Sequence, residues 1–402
     1  MHEPTSRRSF LKSAALGTAA AGLASAAAPA AEQPKIQGFE EEKPDAKPAR
    51  WEPVSDRKIR MGIVGYGVCR FGAAFSLQDH PNVEVVAVSD LFPDRCQELA
   101  KRCRCEKTYP SLEEMVKDDS IEAIFCATDA PSHARHCILA LEHGKHVASA
   151  VPAVYEHLDD GHKLFEAVKT SGLNYMLFET SCFHADLYAM RQIYLAGGFG
   201  EMVYDEGEYF HYACAVIPSY KDWRIGLPPQ YYPTHSNAYH VGVTGGSFTE
   251  VSCMGMPSIR EELQPENNRY KNPFGTEIAL FRTSAGGMSR MGVSWDTPGY
   301  GGEIGRVRGQ KGSMVGMSYQ GLEKNLPDLA RPPLPPTVQP GGHGGSHGYL
   351  GHEFVMSIVE NRKPLIDVAC ALNMSVSGIV AHHSALKDGE LMKIPQFVMK
   401  IS

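Results

Sequence analysis

From Lys58 to about residue 180 the chain switches repeatedly between short apolar runs and amphipathic stretches. KIRMGIVG, VEVVAVSD and IEAIFCATDA read as strands, and GKHV as another. Between and after them RCQELAKRC, SLEEMVKDD and ILALEHG read as helices. Strands alternating with helices predict a parallel, doubly wound sheet over residues 58–180. After about residue 181 the pattern changes. FGEMVYDEGEYFHY, GSFTEVSCMGM, TEIALFRTSAGGMSRMGVSWDT and EIGRVRGQKGSMVGM read as strands, with Ser284–Gly287 suited to a hairpin turn. Residues 327–347 are a Pro/Gly-rich loop, and GYLGHEFVMSIVEN and DVACALNMSVSGIVAHHSALKDG are closing helices. The expected architecture is α/β: a Rossmann domain over 58–180, then an α+β domain over 181–402 with a large, mostly antiparallel sheet. The closing helices are expected to pack back on the first domain. The pair His382–His383 is expected to be partly exposed.

The residues before Lys58 follow neither pattern. Ser6–Lys12, SRRSFLK, leads into an Ala-rich, weakly apolar run ending near Ala31. This resembles a twin-arginine export signal, with Ser25–Ala31 as its cleavage region. The resemblance implies passage through the twin-arginine machinery as a folded protein with its cofactor seated, and a periplasmic or secreted destination. Residues 32–57, rich in Pro, Glu and Lys, read as an arm or linker, and Trp51 hints that part of it packs. The net charge is −7. Arg7, Arg8 and Lys12 outweigh Glu3 in the leader, so the remainder is more acidic still. That argues against nucleic acid as a partner. No stretch after residue 31 is long and apolar enough to cross a bilayer, so no stable membrane anchor is expected. The ten cysteines form no CxxC pair and mostly sit in apolar runs, which predicts small buried hydrophobes.

The first strand turns on glycine. Gly65, Tyr66 and Gly67 open a tight turn that lets backbone approach a pyrophosphate, followed by Val68, Cys69 and Arg70 and by an expected helix N-terminus. Arg70 stands where the third glycine of a GxGxxG pattern belongs, and Gly72 comes two later. Asp90 ends the second strand, 23 residues after Gly67. An acid there can bind both ribose hydroxyls and repel a 2′-phosphate, which favours NAD over NADP, although Arg70 and Arg95 could soften the preference.

GIVGYG, AVSD, IEAIFCAT with PSHARHCILALEHGKHV, and the following Pro152 resemble, in order, the Gfo/Idh/MocA superfamily of NAD(P)-dependent sugar enzymes. The resemblance implies that Thr128, Pro131, His133 and Pro152 line the cofactor site. It also implies a Glu-Lys-Pro whose lysine assists proton transfer. Here the segment is Ala150-Val151-Pro152-Ala153, so the usual proton-transfer group is missing.

Three polar clusters stand out in the second half. In KDWRIGLPPQYYPTHSNAYH, Trp223 offers a stacking face and Arg224 a bidentate fork for acid or amide oxygens. Tyr232 and His235, three apart, are a phenol and an imidazole suited to proton transfer. His343–His347 is a glycine-rich loop that is either a ligand contact or a weak metal-binding segment. Nothing else supplies carboxylates or thiolates at ligand spacing, so no dedicated metal site is expected. The third cluster, Glu179, His184 and Asp186, falls near the expected domain junction. Glycosidase chemistry by paired carboxylates needs two acids facing each other.

Val-Pro-Ala, Trp-Arg followed by Tyr-Pro-Thr-His, and the late His-Gly-Gly resemble the NAD-dependent glycosidases of glycoside hydrolase family 109, the α-N-acetylgalactosaminidase type. Ala150, Phe183 and Ser346-His347 stand where that type tends to have an acid, a tyrosine and Met-Asp. The resemblance implies oxidation at the sugar C3, elimination of the aglycone, water addition and re-reduction by the same cofactor. It places Tyr232 and His235 as proton-transfer groups, and Trp223, Arg224, His184 and His343 around a small-molecule carbohydrate or glycoside. A tightly held, recycled NAD suits export, since no outside pool is needed to reoxidise it. The alternatives are a sugar oxidoreductase, of the glucose–fructose oxidoreductase or sugar/inositol dehydrogenase kind, and a non-catalytic sugar-binding protein. The superfamily's sheet faces often pair, which implies a possible homo-oligomer.

Overall fold

The structure, a computed structural model, describes residues 50–399. The export-signal reading and most of the arm lie outside the described residues. Of the arm, Arg50–Arg57 runs beside the first sheet. The carbonyls of Ser55 and Arg57 accept hydrogen bonds from Asn82 Nδ2, and Arg57 pairs with Glu122 at 2.7 Å.

The chain proceeds through β1 (Ile59–Val64), β2 (Val83–Ser89), α1 (Pro93–Cys103), β3 (Thr108–Tyr109), α2 (Leu112–Met115), β4 (Ala123–Cys126), α3 (His133–Glu142), β5 (His146–Ser149), α4 (Leu158–Ser171) and β6 (Tyr175–Leu177). These six strands form one sheet in the order β3-β2-β1-β4-β5-β6, every pairing parallel. The residues of β4 are all buried, as strands covered on both faces must be. The order reverses between β1 and β4, so the C-terminal ends of these strands diverge there into a crevice.

The first crossover departs from expectation. No α-helix follows β1; residues 65–82 carry only two three-residue 3₁₀ turns, Phe71–Ala73 and Leu77–Asp79. The physical reason lies in Arg70 and Ser76. Both adopt left-handed backbone, at φ 52° and 54°, and each interrupts helical continuation.

The second half adds α5 (Ala185–Leu195), β7 (Met202–Phe210), α6 (Thr234–Thr244), β8 (Phe248–Pro257), β9 (Phe274–Thr283), β10 (Met288–Ser294), β11 (Gly302–Gly309), β12 (Gly312–Val315), β13 (Ser318–Gly321), α7 (His347–Val359), α8 (Val368–Ala385) and β14 (Met392–Lys393). Its eight-stranded sheet runs β13-β12-β11-β7-β10-β9-β8-β14. All pairings are antiparallel except β7 with β10. The β9–β10 hairpin turns through 284–287 as its sequence indicates. α7 returns to the first sheet, where Phe354 meets Phe178 and Asn174 Nδ2 donates to Ser357 Oγ at 3.0 Å. No described helix is long and apolar enough to cross a membrane.

Two buried histidine–carboxylate contacts pin helices to the second sheet. His240 of α6 meets Asp205 of β7 at 2.7 Å, and His382 of α8 meets Glu277 of β9 at 2.7 Å. His382 is 3% exposed, so the expectation of a partly exposed His382–His383 pair fails for His382. The acid on β9 draws it inward, and His383 is left at the margin. All ten cysteines are free, seven of them buried, two half-buried and Cys69 exposed.

Glu277 also accepts the Gln230 N–H at 2.7 Å. Replacing it by alanine strands a buried imidazole and a buried amide together. We expect Glu277→Ala to cost about 3–5 kcal/mol of folding stability, read by urea unfolding, because the partner left behind is fully desolvated.

Candidate functional site

The loop after β1 builds the first of two cavities. Gly65 sits at φ 100°, and a side chain there would collide with the Ala127 carbonyl, so glycine alone closes β1 against the loop after β4. A side chain on Gly72 would collide with the Gly65 carbonyl. The close packing that a third glycine provides thus falls to Gly72, not to residue 70. Gly67 differs from both. No protein atom lies within 4 Å of where its Cβ would stand, so its backbone faces open space, as close approach of a pyrophosphate requires. Arg70 turns outward to Glu98 at 3.1 Å.

Asp90 is held rigidly at the end of β2. Its Oδ2 accepts the Tyr66 N–H at 2.7 Å and its Oδ1 the Phe92 N–H at 2.9 Å. Gly65, Gly67, Val68, Cys69, Arg70, Asp90, Thr128 and His133 all border this cleft of about 230 Å³. Tyr66, Pro131 and Pro152 do not. Tyr66 is buried behind the loop and contributes its amide to Asp90. Pro152 acts through its carbonyl, which lies 2.8 Å from His133 Nδ1, while His133 Nε2 lies 3.1 Å from the Thr128 carbonyl. His133 therefore ties the Val151–Pro152 segment to the loop after β4. Ala150 and Val151 supply the wall instead.

The second cavity, about 220 Å³, shares Cys69, Phe71, Ala150, Val151, Arg224 and Tyr232 with the first. Its own walls include Tyr209, His235 and His343. Trp223 borders the first cleft and not the second, stacked near-parallel to Tyr232 with 6.4 Å between ring centroids. The expectation that Trp223 carries a sugar face gives way to a place beside the cofactor. His184 also lies outside both walls, its Nε2 3.3 Å from Glu303 Oε2.

Two acids act behind His235. Glu179 follows β6, caps the turn Thr180–Phe183 by accepting Ser181 N–H, and meets His235 Nδ1 at 2.7 Å. Glu303, at the start of β11, accepts Ser181 Oγ–H at 2.5 Å and lies 3.7 Å from the same imidazole nitrogen. Burial by itself would lower the pKa of His235. The charges of Glu179 and Glu303 and the hydrogen bond to Glu179 outweigh it and push the value up to about 9. Its Nε2, free of any protein partner, is left for the cavity. Tyr232 is pushed the other way from usefulness as a base: burial raises its pKa despite the opposing Arg224 charge, so the phenol keeps its proton. His343 is lowered by burial against the pull of Glu303. One cavity thus holds a protonated imidazole, a phenol donor and a neutral imidazole.

Glu303 was legible only as part of a strand. The signal that could have found it is the strand's alternation: Ile304 is exposed, whereas Glu303 and Gly305 face α6. The donor atoms of Glu179, His235 and Glu303 lie within 4.8 Å of one another. The expectation that no carboxylates stand at ligand spacing is therefore corrected, because the fold gathers them from three separate stretches. These three could ligate a cation; Ser181 and the imidazole already donate to Glu179 Oε1 and Glu303 Oε2, while Glu179 Oε2 is buried with no partner among the described residues. The two acids do approach each other, yet neither borders the cavity.

Comparison with known proteins places the first domain. Residues 59–178 match the family model described as "Oxidoreductase family, NAD-binding Rossmann fold", GFO_IDH_MocA. That stretch of the chain is a Rossmann domain of the Gfo/Idh/MocA kind. A relative from Solibacter usitatus named "Glycosyl hydrolase family 109 protein" is 23% identical over 98% of this chain and 97% of its own. "Glycosyl hydrolase family 109 protein 1" of Bacteroides thetaiotaomicron is 29% identical over 193 residues, 44% of this chain and 41% of the relative. The chain thus spans under half the length of that relative. Among solved structures, levoglucosan dehydrogenase in complex with NADH and levoglucosan is similar over 85% of this chain and all of its own, with TM-score 0.69 at 18% identity. Scyllo-inositol dehydrogenase from Lactobacillus casei gives TM-score 0.66 at 17% identity over 84% of this chain and 99% of its own. At that identity the likeness concerns the fold. The matched NAD-binding domain supports a nicotinamide cofactor, and the cleft fits one: open space at Gly67, an oriented Asp90, and a second cavity that shares six of its lining residues.

Two outcomes follow. In Gly67→Ala the added Cβ meets no described protein atom, so the chain should fold normally while dinucleotide affinity, titrated by NADH fluorescence, falls about tenfold. His235, raised above its ordinary 6.5, stabilises the fold fully below that pH, and the contribution is lost as pH rises through about 9. In Glu179→Gln, the imidazole resonances of His235 should titrate at lower pH by NMR, and the stability difference from wild type should shrink above pH 9.

Proposed function

We propose that this chain is an exported, NAD-retaining enzyme that cleaves a glycoside through oxidation at C3, elimination and re-reduction. The observation that carries this reading is the pair of adjoining cavities with six lining residues in common, among them Ala150 and Val151, where the superfamily has a lysine. In place of that lysine the second cavity offers His235, His343 and Tyr232. The glycosidase-named relatives, one of them matched over nearly its whole length, support the same reading.

When bound, a nicotinamide cofactor would supply the hydride acceptor for C3 and the hydride donor after cleavage, so no net oxidation would occur. The protein's part is proton traffic. Neutral His343 accepts the C3 hydroxyl proton and passes one on to His347 through the 2.8 Å Nδ1–Nε2 hydrogen bond, which frees it to accept the acidified C2 proton. Imidazolium His235 delivers a proton to the departing oxygen as the C1–O bond breaks. Two imidazoles driven apart in pKa by their surroundings supply the acid and the base. Tyr232 donates a hydrogen bond to the oxygen that becomes the ketone. Water then adds at C1 and its proton restores the His235 imidazolium, while His343 and His347 return their protons to C2 and to the C3 oxygen. Neither Glu179 nor Glu303 borders the cavity, which disfavours direct paired-carboxylate hydrolysis. Asp90 favours NAD over NADP, and both arginines near it are engaged, Arg70 with Glu98 and Arg95 over the Phe92 ring at 4.3 Å. The twin-arginine signal at Ser6–Lys12 would carry the loaded, folded enzyme to the periplasm or beyond.

The test is a panel of chromogenic glycosides with no added NAD. Many aglycones released per protein, with no net NADH, support the reading. Bound NAD reduced once by a free sugar and reoxidised by a second carbonyl compound, with no aglycone released, replaces it by the sugar oxidoreductase reading. Tyr232→Phe and His235→Gln should each lower turnover by about 10²–10⁴-fold with cofactor still bound.

A further inference from the structure

Arg224 stands out among the buried charges. It is 8% exposed, yet among the described residues no carboxylate lies within ion-pair distance of its guanidinium. Its side-chain hydrogen bonds go to two thiols, Cys214 Sγ at 3.3 Å and Cys69 Sγ at 3.8 Å. Thiols are weak acceptors, and burial raises the Cys214 pKa, keeping that thiol neutral. The half-buried arginines are better satisfied: Arg290 pairs with Glu206 and Glu208, Arg191 donates to the Gly242 carbonyl, and Arg331 to the carbonyls of Phe183 and Gly345. A buried charge without such a partner is costly unless something completes it.

The guanidinium is also held in place. It lies over Trp223 at 4.5 Å and Tyr232 at 5.6 Å, and the Arg224 N–H donates to Ser219 Oγ at 3.0 Å. It borders both cavities. The second cavity is also bordered by His235 and His343, with Glu179 and Glu303 behind His235. Glu179 Oε1 and Glu303 Oε2 are engaged by imidazole and Ser181, and neither acid borders the cavity. The cavity wall therefore presents a guanidinium fork with no carboxylate partner together with proton-transfer groups.

We propose that Arg224 receives a fixed negative charge on the substrate, so that the sugar accepted by the second cavity is anionic, bearing a uronate carboxylate or a sulfate ester. This rests on the carbohydrate reading above and names its substrate class. Both groups present paired oxygens that match a planar guanidinium. Anchored there, the sugar turns its ring carbons toward His235 and His343.

The test uses the full-length protein with its cofactor bound. Calorimetric titration compares D-glucuronate, D-galacturonate and D-glucose 6-sulfate with D-glucose and D-galactose, in wild type, Arg224→Gln and Arg224→Lys. NADH affinity is measured in parallel, as a check of folding and of the cofactor site. Charged sugars should bind wild type about ten- to a hundredfold more tightly than neutral ones. Arg224→Gln should erase that preference and Arg224→Lys should keep part of it. Whether the uronates or the sulfate show the preference identifies the source of the charge. Equal affinity for charged and neutral sugars overturns the proposal, leaving Arg224 as a donor to hydroxyls. Loosened NADH in Arg224→Gln with sugar preference intact also overturns it, giving the residue to the cofactor. Binding of neither class removes the carbohydrate reading itself.

Discussion

The hydrogen bond between His235 and Glu179 is the interaction on which the site depends. Glu179 leaves the last strand of the parallel sheet, and His235 begins the helix that lies on the antiparallel one. Glu303, from a strand of that second sheet, closes on the same nitrogen. Three segments that fold by different rules are thereby fixed to one imidazole with no solvent to relax the geometry. The pair sets ring orientation, tautomer and charge at once, because Nδ1 faces the acids and Nε2 is what remains for the cavity. A buried carboxylate cluster of this kind adds little net stability. Its return is a directed proton at a defined place.

The same device recurs without the cavity. His240 with Asp205 and His382 with Glu277 use identical chemistry to seat α6 and α8 on the second sheet. Neither imidazole borders either of the two cavities. What distinguishes His235 is therefore not its partner but what its other nitrogen meets.

Much of the first domain was legible because local rules agree there: apolar runs, amphipathic helices and the turn glycines all point to a parallel sheet, and Asp90 falls where a second strand must end. The missing first helix was not legible. It depends on left-handed backbone at Arg70 and Ser76, which no propensity scale assigns to those residue types. In the site, Tyr232, His235, Arg224 and His343 could be picked out as polar residues in unusual company, and the fold brings them around one cavity. Trp223 borders the first cleft and His184 neither cavity, because side-chain direction depends on packing that the sequence pattern does not carry. Glu303 was invisible as a functional group, because its role exists only once β11 is registered against β7 and α6 is laid over both.

The displaced Trp223 has a consequence of its own. The chain contains three tryptophans, Trp51, Trp223 and Trp295. Trp295 is sealed in the core with its indole N–H on the Leu227 carbonyl, and Trp51 sits in the arm. Only Trp223 borders the dinucleotide cleft. Reduced nicotinamide absorbs where indole emits, so energy transfer from this one ring reports the redox state of the bound cofactor from inside the protein. The chain carries its own optical gauge, and a catalytic cycle that begins and ends with oxidised cofactor would register as a transient dimming that recovers without any added reagent.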